Sequence, residues 1–191
     1  MITKNKDWKY WGTIDPLLSI IVESMPEVLL DIISIALDSK PEIFTTLFSL
    51  ESSGVTGGNY LTGLWWALET LAWNGIYLYR VADLLLRFNS IDPGGNYLNR
   101  PGHSFVSIFM PWYPQTSASI DKRVDIVTAL LRDSEEIGWN IILNFLPRSH
   151  QVASDNHAPK WRKWKPEGYS PKVKNKDFYK QVDAYFNLLV K

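Results

Sequence analysis

Over most of this chain apolar residues return at every third or fourth position, and nowhere do they alternate over the length of a strand. A helix with such a stripe must bury it against another helix, so the expected class is all-α. Prolines mark the expected starts. Asp15 with Pro16 reads as an N-cap and first helical position opening LLSIIVES. Pro26 opens VLLDIISIAL, where Val28, Leu29, Ile32, Ile33, Ile35, Ala36 and Leu37 predict a broad buried face, and Pro41 opens EIFTTLFSL. LTGLWWALETLAW and NGIYLYRVADLLLRF, joined at Asn74-Gly75, read as an αα-hairpin with Ile76, Leu78, Val81, Leu84, Leu85 and Phe88 turned inward. The expected architecture is an array of paired antiparallel helices, solenoid-like in the HEAT or TPR manner or irregular.

Further along, HSFVSIFMPW predicts a short helix halted at Pro111, followed by ASIDKRVDIVTALLRDS and by SEEIGWNIILNFLP with Ser134 as cap. DFYKQVDAYFNLLV closes the chain with Phe178, Val182, Tyr185, Phe186 and Leu189 on one side. Between these, residues 147–172 show no helical period. A loop of that length needs its own anchors, and Trp161, Trp164 and Tyr169 are suited to pin it down.

The pentapeptide GGNYL occurs at Gly57–Leu61 and at Gly94–Leu98. An offset of 37 residues would suit a paired-helix repeat, yet the flanks lose apolar register: Trp65 and Trp66 would align with Gly102 and His103. Neither copy is followed by Gly-Lys-Ser/Thr or preceded by an expected strand, so neither is a phosphate loop. Both read as glycine turns leading into helices.

Apolar residues make up 46% of the 191 positions and charged ones 21%, which suits one globular helical domain, 1–191. The absence of cysteine removes disulfides, thiolate nucleophiles and cysteine-based zinc sites. MITKNKDWKYWG has no apolar core of a signal peptide, and Val28–Leu37 is too short and polar to span a bilayer; a soluble cytoplasmic protein is expected. The zero net charge is split. Residues 1–159 hold 11 Lys/Arg against 17 Asp/Glu, and residues 160–191 hold 9 against 3. The basic end can meet a polyanion or the acidic body of its own chain.

Chemical candidates are few. His150, Asp155 and His157 share a stretch, but their spacing fits no zinc pattern, and no metal or other cofactor is expected. Asp92, His103 and Ser104 lack the nucleophile elbow of a triad. Glu69 interrupts an apolar helix, predicting a partly buried carboxylate paired with Arg80 or Arg100. KWRKWKPEGY interleaves cations and rings. Lys160, Trp161, Arg162, Lys163, Trp164 and Lys165 are therefore the candidate binding residues, for phosphate and base stacking or for a protein contact.

Several stretches, read in order, carry a resemblance: ALETLAW, YLYRVADLLLRF, IDPGGNYLNRP, the run from Ser104 to Thr116 with IF-x-PW-x-PQT, IGWNIILNFLP and PKWRKW. Together they resemble a helical segment of the large bacterial antiviral STAND NTPases, in which effector, ATPase and a long helical sensor share one chain. The resemblance runs from about Gly63 to Trp164. It marks Leu68, Glu69, Ala72 and Trp73; Asp92, Pro93, Gly94 and Gly95; and Asn99, Arg100 and Pro101. It also marks Trp112, Pro114 and Gln115; Gly138 and Trp139; and Trp161, Arg162 and Trp164. It assigns catalysis to none of them, and the chain has no Walker motif. The resemblance implies a non-catalytic recognition segment excised from a larger chain, with a protein partner such as a viral protein. That reading predicts no deep polar pocket. A nucleic-acid module instead predicts Lys160, Arg162, Lys163 and Lys165 on one open face. A small hydrolase predicts that Glu69, His103 and Arg100 converge in a cleft.

Overall fold

The computed structural model describes residues 7–50, 60–95, 99–132, 135–146, 153–170 and 173–189, and these are all-helical with no strand. In chain order the helices are α1 (Asp7–Ser24), α2 (Pro26–Ser39), α3 (Glu42–Ser49), α4 (Thr62–Ala72) and α5 (Leu78–Ile91). They continue as α6 (Pro101–Phe109), α7 (Ile120–Leu131), α8 (Glu135–Phe145) and α9 (Asn175–Leu189). The glycine-rich stretch 52–59, the Ser134 cap, residues 147–152 and His150 lie outside the described residues.

Helix α4 occupies the centre because its sequence is apolar all round: Leu64, Trp65, Ala67, Leu68, Leu71 and Ala72 are fully buried. Its main neighbour is α1, and it also packs on α5 and α6. The α4–α5 hairpin turns at Asn74, whose side chain accepts from Ile76 N at 3.0 Å. Five rings cement this half: Trp11–Phe44, Phe44–Phe88 and Trp65–Phe88 meet edge-on at 4.9–5.1 Å, and Phe48 stacks on Trp65. A second aromatic group, Phe105, Phe109, Phe145 and Tyr185, joins α6, α8 and α9.

Three expectations about the helices are corrected. First, α1 does not open at Asp15: it begins eight residues earlier and carries Pro16 in its interior. The proline forfeits one backbone bond, but Trp8 and Trp11 pack against the core on the preceding turns and hold the helix together. Second, α2 is buried only along Leu29, Leu30, Ile33 and Leu37, while Val28, Ile32 and Ile35 are 51%, 48% and 64% exposed. The helix lies against α1 and α5 on one side only, so its apolar girdle exceeds the stripe those neighbours cover. Third, Ile76 is exposed because it sits in the turn before α5, and Phe186 points outward from α9. None of the helices among the described residues is long and apolar enough to cross a membrane.

Helix α9 is locked on by Gln181, which is fully buried. Its carbonyl accepts from Arg123 at 2.8 Å, while its amide donates to Phe109 O at 2.9 Å and to Tyr185 Oη at 2.7 Å. Arg123 donates in turn to Ala118 O at 2.9 Å. One amide thus ties together α7, the end of α6 and α9.

Candidate functional site

Three carboxylates that point into the body are bound by peptide N–H groups of distant segments. Asp15 faces inward from α1 and accepts from Gly63 N at 2.8 Å and Leu64 N at 2.9 Å. It therefore caps the first turn of α4, a helix nearly fifty residues away, instead of its own. Gly63 is required there, because a Cβ would run into the Asp15 carbonyl. Burial pushes the Asp15 carboxyl up to about 6, against the two N–H bonds that hold it down.

Glu23, the penultimate residue of α1 and 3% exposed, receives three successive amides: Lys160 N at 2.9 Å, and Trp161 N and Arg162 N at 2.8 Å. The Arg162 side chain adds Nε to Glu23 O at 2.7 Å. Three converging N–H groups form a nest for one anion, and the protein supplies that anion itself.

Glu69 on α4 is the third. Its Oε1 accepts from Ser104 Oγ at 2.6 Å and its Oε2 from His157 N at 2.9 Å. The expected arginine partners are engaged elsewhere: Arg80 pairs with Asp31 at 2.5 Å, and Arg100 with Asp92 at 2.7 Å. Both members of the second pair are nearly buried. Burial raises the Glu69 carboxyl above its ordinary range, and the two bonds offset part of that rise.

Beside Glu69 lies a half-open cleft of about 900 Å³ between α4, α5, α6, α8 and residues 153–157. The recognition reading predicts no such pocket, and here the structure differs from it. Its wall includes five asparagines: Asn89, Asn99, Asn140, Asn144 and Asn156. Trp66 and His157 form a stacked pair at its edge, with ring centroids 5.2 Å apart and planes at 16°. Thr70 Oγ1 lies within hydrogen-bond reach of both Trp66 O, at 2.8 Å, and His157 Nδ1, at 3.0 Å. His157 is thus linked to α4 through both its ring and its main chain. Burial and the nearby Lys160 hold its pKa below the usual value, so it is neutral at pH 7.

The other singled-out residues divide. Ser104 gives its proton to Glu69, and Asp92 is taken by Arg100 and by Gly94 N at 2.9 Å, so no Asp92–His103–Ser104 relay forms. Asp92 instead closes a turn in which Gly94 adopts φ +75°, open to glycine at no cost; Gly95 follows it. Glu69 and His103 both line the cleft, whereas Arg100 does not. Asp155 accepts from Tyr113 Oη at 2.7 Å, and no group of three metal-ligating side chains exists among the described residues. Trp73 is buried, donating from Nε1 to His157 O at 3.3 Å; Trp112 is half-buried and Trp139 is 52% exposed.

The basic segment also splits. Lys160, Trp161, Arg162 and Lys163 are exposed. Trp164 is half-buried against Tyr77, and Lys165 turns inward over Trp73 with Nζ at 4.5 Å from the ring centre. The four cations therefore do not share one open face. Tyr169 completes the anchorage, donating to Pro114 O at 2.9 Å and meeting Trp73 edge-on.

The anchors missed by sequence are Asp15 and Glu23. Their signal was present: each is an acid on the inward stripe of α1 beside Leu18 and Val22. No protein-family model, curated protein or solved structure matches the chain.

Proposed function

We propose that the chain is a non-catalytic helical recognition module that binds another protein, as the sensor segment it resembles would in a cytoplasmic antiviral STAND NTPase. The observation that carries this reading is the pair of exposed apolar rows on the neighbouring helices α1 and α2. Tyr10, Ile14 and Leu17 recur at four and three residues on the first, and Val28, Ile32 and Ile35 on the second. A helix that shows such a row to water is suited to receive another macromolecule there. The buried carboxylates support the same reading, since Asp15, Glu23 and Glu69 each hold main-chain amides in place.

The test is capture of purified phage structural proteins by the full chain, with an Ile32→Glu/Ile35→Glu variant alongside. Both residues are exposed, and an unchanged melting temperature establishes that the variant folds. Capture by the parent that persists at high salt and is lost in the variant supports the reading. Capture unaffected by the variant refutes the assignment of this face.

A nucleic-acid reading has its own supporting observation in the exposed run Lys160, Trp161, Arg162 and Lys163. Single-stranded DNA binding that falls steeply with salt and is lost on Trp161→Ala/Arg162→Ala would favour it.

A further inference from the structure

We propose that the polar cleft is a second binding site, taking an uncharged peptide segment in extended form and recognising it through its main chain. It is separate from the apolar rows on α1 and α2, neither of which lines it.

The chemistry of the wall selects the ligand class. No Lys or Arg lines the cleft, and its two carboxylates are engaged, Glu69 by Ser104 and His157 N, Asp155 by Tyr113. A phosphate or carboxylate ligand would find no lysine or arginine there to meet its charge. Beside histidine, serine and tyrosine side chains, the largest polar group lining the space is amide. The side chains of Asn89, Asn99 and Asn140 make no hydrogen bond with the described residues, and Asn144 spends only its Nδ2, on Asn140 O at 2.8 Å. Each free amide offers donors and an acceptor together, which matches a peptide group.

Spacing argues for a strand. Asn140 and Asn144 are one helical step of four residues apart on α8, a rise of about 6 Å. Residues two apart in an extended chain are separated by about 6.6 Å, so the two amides can meet successive peptide groups on the same edge. The facing segment completes the slot. Residues 153–157 run without helix or turn, and the peptide groups of Ala153, Ser154 and Asp155 make no hydrogen bond with the described residues. Their neighbours are fixed: Asn156 N donates to Gln115 Oε1 and its Nδ2 to Ser107 Oγ, while His157 N donates to Glu69. A short main-chain edge is thus anchored at its C-terminal end, its own peptide groups unbonded among the described residues, the condition for strand addition. Val106, Met110 and Ile141 supply apolar wall for alternate side chains.

The probe is an array of short peptides restricted to uncharged residues, screened against the full chain, with binders remade with N-methylated main-chain nitrogens. A neutral oligosaccharide array and single-stranded DNA serve as the other arms. Peptide binding is expected, weakened at least tenfold by N-methylation at one edge and at least tenfold by Asn140→Ala/Asn144→Ala. Both asparagines are exposed, and an unchanged melting temperature confirms that the variant folds. Peptide binding indifferent to N-methylation, binding of the oligosaccharides or DNA alone, or no binding on the peptide array overturns the proposal. Capture of phage protein lost in Ile32→Glu/Ile35→Glu but kept in Asn140→Ala/Asn144→Ala would leave the reading of α1 and α2 intact while the cleft assignment falls.

Discussion

Asp15 and Glu69 show how a buried acid can be structural without an ion-pair partner. Each uses both oxygens, and a peptide N–H is the donor in three of the four bonds. For Asp15 the folded pKa of about 6 lies above the ordinary 3.8, so the folded state binds the proton more tightly than the unfolded chain. Its contribution to stability is therefore greatest below about pH 4 and is lost as pH rises through about 6. Asp15→Asn, which mimics the protonated acid, should flatten the stability profile across that window, as read by urea unfolding at a series of pH values. For Glu69, Glu69→Ala leaves His157 N and Ser104 Oγ facing a void and should cost about 1–3 kcal/mol. Glu69→Gln keeps one acceptor and should cost less. Equal losses for the two variants would show that the carboxylate's bonds are not what matters.

Helix α9 is held by Gln181 as well as by its apolar stripe. Phe186 faces water, and the buried contacts of the helix centre on Tyr185 and the amide beside it. Gln181→Ala removes the acceptor of Arg123 Nη2 and one of the two donors to the Phe109 carbonyl, which keeps Tyr185 Oη at 3.3 Å, so a loss of about 1–3 kcal/mol is expected in denaturant titration, with faster exchange along α9. The helices themselves were legible because a three- and four-residue apolar period has one physical meaning over ten residues or more. What was not legible is which side of an over-apolar helix gets covered. Val28, Ile32 and Ile35 look like core in α2 until the positions of α1 and α5 are known. Pro16 misled in a different way. After Asp15 it has the form of a helix start, and only the packing of Trp8 and Trp11 extends α1 past it. The cleft was legible only through the hydrolase reading, which placed Glu69 and His103 there together with Arg100, which does not line it; its amides come from helices and loops far apart in sequence.

Taken whole, the molecule is a helical body around α4 with an ordered C-terminal strap, residues 153–170, fastened across it by main-chain amides. Glu69 fixes the strap at His157, Glu23 at residues 160–162, and Tyr169 at Pro114. The cations expected to bind a polyanion are held by this arrangement to a short exposed row, and the cleft owes one wall to it. Buried carboxylates, and not its tryptophans alone, fasten the strap. Hydrogen exchange resolved at single amides decides whether this is so. The amides of Lys160, Trp161 and Arg162 should exchange at least a hundredfold more slowly than in an open loop, although those side chains are exposed, and Glu23→Ala should abolish the protection while α4 keeps its own. Fast exchange at all three amides in the parent chain, or protection unchanged in Glu23→Ala, would contradict it.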